Sequence, residues 1–258
     1  MSRLRARCPD CRAYTAVAFG SEYQCHACGR EFRAGLVRVP RAWGAGGEAM
    51  EEAARLPLPY PEAAVVREPT LGEQTLGIAS ELPARPVVLG GCCCTHVGAV
   101  EGLAARHGRI SVVWLDAHGD LNTPETSPSG NAWGMPLRML LDAGTVRPDD
   151  VALLGARNLD PPEEEFIASS GLHVGEGAVE RALAGAACTY VALDADSLAD
   201  DEVASFMPEP RGLRVDDVDL LFGRLREEAT VLGAGVTGLA PNVRNVAPLS
   251  RLLGSLGL

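Results

Sequence analysis

Short apolar runs alternate with amphipathic stretches along most of this 258-residue chain, and this alternation constrains the fold more than any other feature. The apolar runs include PVVLGG, ISVVWLDA, VALLGA, TYVALDAD and TVLGAGVTGLA, and stretches such as GAVEGLAARHG and VDLLFGRLREE separate them. Strands that are buried on both faces are continuously apolar, and the segments that connect parallel strands are usually helices. From about residue 36 onward, the pattern predicts an α/β domain with a mainly parallel sheet covered on both faces.

Two cysteine pairs set the N-terminal segment apart. Cys8 with Cys11 and Cys25 with Cys28 are each spaced C-x2-C, with 13 residues between the pairs. Two such knuckles joined by a hairpin can direct four thiolates at one tetrahedral ion. A segment of about 35 residues has too small a core to fold alone, so metal binding would supply most of its folding energy. We expect a zinc ribbon over residues 1–35 and an α/β domain over residues 36–258, with free thiols or a rubredoxin-like iron site as alternatives to the ribbon.

Composition argues against several functional classes. The net charge of −11 argues against binding to nucleic acids or anionic membranes. All 23 basic residues are arginine, which excludes any mechanism that needs a catalytic lysine. The sequence shows neither an apolar run long enough to span a membrane nor the apolar core of a secretory signal. We therefore expect a cytoplasmic protein, whose cysteines are metal ligands or free thiols rather than disulfides.

Carboxylates and an imidazole close two of the apolar runs. ISVVWLDAHGD ends with Asp116, His118 and Asp120, and TYVALDAD ends with Asp194 and Asp196. Side chains at i and i+2 of an extended segment share a face, and ligands of α/β sheets collect beyond the carboxyl ends of the strands, so these groups should converge. Several carboxylates at one place repel each other unless cations neutralise them. Oxygen ligands with an imidazole suit manganese, iron or zinc, and the pattern predicts a two-metal site.

The same segments resemble the arginase (ureohydrolase) family. The resemblance covers roughly residues 36–258 and is carried by LGG, by WLDAHGDLNTPETSPSGN with GMP two residues later, and by LDAD. It implies a three-layer α/β sandwich, two metal ions that are usually manganese, and a homo-oligomer of three or six chains. It also implies two sets of metal ligands. The second set is complete in this sequence and consists of Asp116, His118, Asp194 and Asp196.

The first metal site departs from the family pattern at the stretch GGCCCTHVG. Aligned without gaps on the family's GGDHSxxxG, this stretch places Cys93 where the family has a ligand histidine, beside Asp116, Asp120 and Asp194. A thiolate ligand would favour zinc or iron over manganese. One alternative is that His96, about one helical turn later, replaces the missing histidine. Another is that the three cysteines only pack, which would leave this site weak or empty.

Two loops indicate an amino-acid-like ligand. By the resemblance, Asn122, Ser129 and Asn131 occupy positions that receive a substrate α-carboxylate. Asp160 and Glu163 likewise occupy positions that face its α-amino group. Neutral donors on a polar loop suit the first role, although such a loop can also satisfy its own turns. The resemblance therefore implies a small amino-acid-like substrate.

Other departures concern the chemistry of the site. The catalytic positions that the resemblance implies are Asp120 and the position of Trp133, where the family has a histidine proposed to carry protons. An indole cannot carry them. Gly238 replaces the family glutamate that pairs with a guanidinium, and Gly235 replaces an aspartate. A buried guanidinium without a partner costs several kcal/mol, so the sequence argues against ordinary arginase activity.

Two functions are consistent with this sequence. The first is a metal-dependent hydrolase that cleaves a non-peptide carbon–nitrogen bond, in an amidine or an amide, of an amino-acid-like substrate. The second is a non-catalytic relative that senses a ligand or joins an assembly through its zinc ribbon. The complete second metal site and the polar loop favour the hydrolase.

Overall fold

The structure, a computed structural model, describes residues 5–6, 8, 11, 13, 15–19, 22–32, 34–186 and 188–258. Short antiparallel strands make up the described N-terminal segment: β1 Arg5–Ala6, β2 Ala16–Phe19, β3 Glu22–Cys25 and β4 Glu31–Phe32. They pair in chain order, and the β2–β3 hairpin lies between the two cysteine pairs. Cys8, Ala16 and Cys25 are buried together beside this hairpin.

The rest of the chain is built on one eight-stranded sheet. Its strands are β5 Ala34–Val39, β6 Glu62–Val65, β7 Arg85–Gly90, β8 Ser111–Leu115, β9 Val151–Leu154, β10 His173–Val174, β11 Cys188–Asp194 and β12 Thr230–Thr237. Every neighbouring pair is parallel, in the order β10-β9-β8-β11-β12-β7-β5-β6. The predicted parallel α/β sheet is therefore confirmed. The proposed domain boundary between residues 35 and 36 falls within β5.

Helices cover both faces of this sheet. They are α1 Glu48–Ala53, α2 Leu71–Glu81, α3 Cys94–His107, α4 Pro136–Asp142, α5 Pro161–Ser170, α6 Ala178–Leu183, α7 Val215–Glu228 and α8 Val246–Ser255. In β8, Val112 and Trp114 pack into one apolar cluster, and Val113 and Leu115 pack into the other. Helices α2 to α5 contribute to the first cluster, and α1 and α6 to α8 contribute to the second. This is the three-layer arrangement that the resemblance implies.

Within the ranges given above, no helix has both the length and the apolar character required to cross a lipid bilayer.

The four central strands determine where the predicted ligands lie. Because β8, β11, β12 and β7 are parallel neighbours, their carboxyl ends lie side by side at one edge of the sheet. Asp116 directly follows β8, Asp194 ends β11 and Thr237 ends β12. Strand β7 leads into the turn before α3, where Cys93 is the N-cap residue. The sheet topology therefore brings residues that are distant in sequence to one place.

Candidate metal centre

His118 lies between two carboxylates. Its Nδ1 is 3.4 Å from Asp116 Oδ1 and 3.1 Å from Asp196 Oδ2. Backbone amides hold both acids: the N–H of His118 donates to Asp116 Oδ1 at 2.7 Å, and the N–H of Ala117 donates to Asp196 Oδ1 at 3.1 Å. One ligand atom from each of Asp116, His118 and Asp196 lies within 4.8 Å of the others. These three side chains are close enough to share an ion.

Cys93 and Asp194 form the more deeply buried half of the cluster. The Cys93 thiol donates to Asp194 Oδ2 at 2.8 Å and lies 3.7 Å from Asp116 Oδ2. The Thr237 hydroxyl donates to the same Asp194 oxygen at 3.1 Å. The other oxygen, Asp194 Oδ1, accepts from the backbone N–H of Asp196 at 3.1 Å. Asp116 is therefore shared by the two halves of the cluster.

Asp120 completes the buried half. Together with Cys93 and Asp116, it offers three ligand atoms that lie within 4.8 Å of one another. Its side chain is buried, and its Oδ2 has no hydrogen-bond partner. Its φ of 55° lies in the left-handed region, where a residue other than glycine is strained by roughly 1–3 kcal/mol. A bound ion would satisfy the unpaired oxygen, which is otherwise destabilising.

Burial and mutual repulsion raise the pKa values of the four acids. Burial is the largest cause for Asp116, Asp120, Asp194 and Asp196, and neighbouring carboxylates add to it. The pKa of Asp194 rises to about 7. Burial acts to lower the pKa of His118, but hydrogen bonds and ion pairs with Asp116 and Asp196 raise it to about 12. One imidazolium cannot balance four carboxylates, so the group favours bound cations.

His96 lies outside this cluster. Its ring is fully buried, with Nδ1 3.1 Å from the Tyr190 hydroxyl and Nε2 3.1 Å from Thr237 Oγ1. Burial lowers the pKa of His96 to about 3, which keeps the ring neutral. The ring reaches the carboxylates only through Thr237, so this structure does not support the alternative in which His96 replaces Cys93. Cys92 and Cys94 pack in a separate apolar cluster.

Asp160 and Glu163 form a capping box at the start of α5. Asp160 is the N-cap residue, and its backbone N–H donates to Glu163 Oε2 at 3.0 Å. Glu163 Oε1 accepts from the backbone N–H of Leu121 at 2.9 Å. The Asn122 side-chain amide donates to Asp160 Oδ2 at 2.8 Å. These predicted substrate contacts therefore also hold α5 against the loop that follows β8.

A cleft of about 220 Å³ contains the metal-ligand candidates and the predicted substrate contacts. Ser129 is exposed on its rim, where its hydroxyl accepts from the backbone N–H of Asn131 at 3.2 Å. Asn131 Oδ1 accepts from the backbone N–H of Ala45 at 3.0 Å. The structure thus brings to one cleft Asn122, Ser129, Asn131, Asp160 and Glu163.

Trp133 forms an apolar wall of the cleft. Its ring meets that of Phe206 edge-on, with 6.4 Å between the centroids and 73° between the planes. A Cβ at Gly44 would collide with the Trp133 ring, so this glycine makes room for the indole. Gly238 also lines the cleft and has a φ of 66°. A Cβ at Gly238 would collide with the carboxylate of Asp194.

Glu209 does not stand out in the sequence, yet it faces the site. Its Oε1 lies 3.7 Å from His118 Nε2 and accepts from Asn158 Nδ2 at 2.9 Å. The Arg157 guanidinium donates to the backbone carbonyls of Glu209 at 3.1 Å and Asp196 at 2.6 Å, which fixes this loop against the cluster. A carboxylate behind an imidazole orients a histidine that binds metal. No local motif marks Glu209, because only the course of the loop after β11 brings it there.

The N-terminal cysteines also converge. The four Sγ atoms lie within 4.8 Å of one another, with 3.6 Å between Cys8 and Cys28 and 3.5 Å between Cys11 and Cys25. None of the four forms a disulfide. A hydrogen bond with Thr15 is the largest cause that lowers the pKa of Cys25 to about 6. The arrangement fits the four-thiolate coordination of a structural zinc ion.

A protein-family model, individual relatives and solved structures are all similar to this chain. Residues 53–254 match the model of the Arginase family. The arginase of Bacillus subtilis strain 168 is 43% identical over 101 residues, which is 34% of this chain and 34% of that relative. The aligned segment thus spans about a third of the relative's length.

Solved structures share the fold over a much larger part of the chain. The crystal structure of arginase from Bacillus cereus superposes with a TM-score of 0.73 at 25% identity, covering 86% of this chain and 97% of that one. Proclavaminate amidino hydrolase from Streptomyces clavuligerus superposes with a TM-score of 0.68 at 20% identity, covering 86% and 91%. At that identity the second likeness concerns the fold alone.

Proposed function

Because the chain belongs to the arginase family, we propose that it is a metal-dependent hydrolase. The bond cleaved would be a non-peptide carbon–nitrogen bond, in an amidine or an amide, of a small amino-acid-like substrate. The observation that carries this proposal is the buried group of carboxylates, thiol and imidazole within the cleft. The match of residues 53–254 to the Arginase family model supports the reaction class.

Two divalent metal ions are the proposed cofactors, since the family generally uses a binuclear centre, usually of manganese. The unpartnered Asp120 oxygen and the four buried carboxylates fit such a pair. When bound, metal ions of this kind activate water and polarise the carbon under attack. One ion would be held by Asp116, His118, Asp194 and Asp196. The other ion, at the first metal site, would be held by Cys93, Asp116, Asp120 and Asp194.

The loop after β8 would orient the substrate. Ser129 and Asn131 present a hydroxyl and an amide at the cleft, and such donors suit a carboxylate. Asn122 and Asp160 already bond to each other, so a substrate amino group would share the Asp160 carboxylate with that amide. Glu163 would act by holding the loop, because backbone amides engage both of its oxygens.

The substrate is proposed to be less cationic than arginine. Gly238 offers no carboxylate to a guanidinium, and Trp133 and Phe206 give the cleft an apolar wall. A buried guanidinium left unpaired would cost several kcal/mol. A neutral amide or a weakly basic amidine would avoid that cost and would pack against the indole.

The test is an assay of metal-loaded protein for urea release from arginine, and for ammonia release from less cationic amidines and amides of amino acids. Turnover of arginine should lie far below the range of ~1 to 10³ per second that is typical of enzymes, while at least one other substrate is hydrolysed. Asp196→Asn should abolish that activity. Asp142→Asn, which changes an exposed carboxylate on α4, should not.

Rapid urea release from arginine would contradict the proposed substrate. No turnover of any substrate by protein that holds both ions would favour the other function, a non-catalytic relative that senses a ligand or joins an assembly through its ribbon. We also propose that the ribbon holds a structural zinc ion, and that the protein is a cytoplasmic homo-oligomer of three or six chains.

A further inference from the structure

Three fully buried side chains stand behind Cys93 and have no part in the proposed function. Tyr190, His96 and Thr237 are each 0% exposed. The Tyr190 hydroxyl lies 3.1 Å from His96 Nδ1, and His96 Nε2 lies 3.1 Å from Thr237 Oγ1. Thr237 Oγ1 is in turn 3.2 Å from Cys93 Sγ. The three side chains thus form one hydrogen-bonded line that ends beside the sulfur.

The direction of these hydrogen bonds follows from what each group can donate. The Thr237 hydroxyl donates to Asp194 Oδ2, so it has no second proton for His96. His96 Nε2–H must then donate to Thr237, and the Tyr190 O–H donates to His96 Nδ1. Every step points toward Cys93 and Asp194. The Thr237 hydroxyl can therefore donate one hydrogen bond, either to Asp194 Oδ2 or to the Cys93 sulfur, whichever carries the greater negative charge.

Space in the core is arranged around this line. A Cβ at Gly235 would collide with the Tyr190 hydroxyl and lie 2.7 Å from His96 Nδ1. Gly235 is buried within β12, where glycine otherwise weakens a strand. Because Gly235 has no Cβ, the side chains of Tyr190 and His96 fit behind the sulfur.

The surroundings of the Cys93 sulfur are those of a ligand rather than of a packed thiol. A carboxylate oxygen of Asp194 is 2.8 Å away, and Asp116 and Asp120 offer oxygens in the same group. Asp120 Oδ2 is buried without a partner. If Cys93 only filled space, these carboxylates would be buried around its sulfur with no ion to bind.

We propose that Cys93 is a thiolate ligand that makes the first site bind zinc in preference to manganese, with Tyr190, His96 and Thr237 as positioning residues for its sulfur. The inference rests on the proposed function for the presence of a metal pair. Thiolate ligands select zinc, whereas carboxylate and water ligands suit manganese. On binding, the sulfur exchanges its S–H bond for a sulfur–metal bond and the proton leaves to solvent. The Thr237 hydroxyl is placed to donate to the bound sulfur.

Cobalt(II) is the probe for the sulfur–metal bond, because cobalt thiolates have a charge-transfer absorption in the near ultraviolet. Full-length protein is stripped of metal, given one equivalent of zinc for the N-terminal cysteines, and titrated with cobalt. The wild-type spectrum minus that of Cys93→Ser should show this absorption. Cys94→Ser is the matched control, since Cys94 is equally buried but lies in the separate apolar cluster. Its spectrum should match that of the wild type.

Two further measurements test preference and positioning. In dialysis against equal zinc and manganese, the wild type should retain zinc at the first site, and Cys93→His should shift its occupancy toward manganese. Thr237→Val should lower the cobalt affinity of that site by about 10- to 100-fold, as loss of an outer-shell partner does. Tyr190→Phe, which removes one hydroxyl and keeps the ring, should lower it less, although its melting temperature should fall because the buried His96 Nδ1 loses its donor.

Identical cobalt spectra for the wild type and Cys93→Ser would overturn the proposal, as would retention of manganese at the first site by the wild type. A charge-transfer absorption in a protein that hydrolyses nothing would count against the proposed function and leave this inference standing. Hydrolysis without this absorption would support the proposed function and contradict the inference about Cys93.

Discussion

Asp194 is one residue through which the charge of the site affects the stability of the fold. Its pKa is raised from 3.8 to about 7, chiefly by burial. A raised pKa stabilises the folded state at pH values below the unfolded pKa, and this contribution is lost as the pH rises through 7. The raised pKa of His118 acts in the same direction at higher pH. Metal ligands must be deprotonated, so bound metal should reverse the trend.

We therefore expect metal-free protein to be less stable at pH 8 than at pH 5. At about 1.4 kcal/mol per pKa unit, the loss from Asp194 between pH 5 and its pKa of about 7 is on the order of 3 kcal/mol, or roughly 5–10 °C in the unfolding temperature. Thermal melts of stripped protein across this range check the slope, and Asp194→Asn should make it shallower. Added divalent metal should stabilise the protein more at pH 8 than at pH 5. A metal-free protein that melts higher at pH 8 would show that these carboxylates do not share a buried site.

Glu209 is a second residue whose contribution, in this case to metal binding by His118, can be measured separately. It lies behind the His118 ring, on the side opposite to the carboxylates that contact Nδ1. Glu209→Gln should reduce the affinity of the His118 site for metal by less than the roughly 10- to 100-fold that loss of a hydrogen-bonded outer-shell partner costs, because the carboxylate acts on the imidazole across 3.7 Å. Calorimetric titration with manganese measures this change. Glu227→Gln, an exposed position on α7, is the control and should bind as the wild type does.

At the scale of elements, the capping box of α5 connects that helix to the loop that carries candidate metal ligands. Glu163→Ala should lower the free energy of unfolding by roughly 1–3 kcal/mol, since it leaves the backbone amides of Leu121 and Asp160 without their acceptor. Glu164→Ala changes the exposed neighbour in the same helical turn and should cost far less. Chemical denaturation of both variants tests the difference, and equal losses would mean that Glu163 is no more than a surface residue.

The strands of the large sheet were predictable because apolar residues on both faces leave a plain signal. The acidic residues and the histidine that close β8 and β11 are candidate metal ligands in the sequence and in the structure alike. Helix α2 is poorly marked in the sequence. It contains Gly72 and Gly77, only Gln74 and Ile78 are buried among its residues, and much of its definition comes from the Thr70 cap. Strand β10 has two residues, too few for any periodicity.

Side chains that lie behind the ligands were harder to predict than the ligands. His96 attracts notice as a histidine near Cys93, but its ring turns toward Tyr190, a residue 94 positions away in the chain. Thr237 contacts Cys93 and Asp194 only because β12 lies between β7 and β11. Such contacts are set by the order of strands in the sheet, which no local pattern in the sequence records.

At the scale of the whole molecule, the N-terminal segment and the large sheet have different sources of stability. Among the residues described in the N-terminal segment, the buried side chains are those of Cys8, Ala16 and Cys25. The large sheet, by contrast, has an apolar cluster on each face. We expect Cys25→Ser to abolish amide protection in residues 22–32, because the proposed zinc would supply the folding energy. Amides of β8 and β11 should keep theirs. Hydrogen exchange of the full-length protein measures both regions, and loss of protection in the sheet would show that the two fold as one unit.

The left-handed backbone at Gly238 limits how this site can change. Any side chain placed there is strained by the φ of 66° and enters the space of the Asp194 carboxylate. A glutamate at this position would enter the space of a candidate metal ligand before it offered a charge to any substrate. On this backbone, a carboxylate at position 238 would compete with the Asp194 carboxylate for the same space. A carboxylate for a guanidinium could therefore be introduced here only together with a different backbone for the turn after β12.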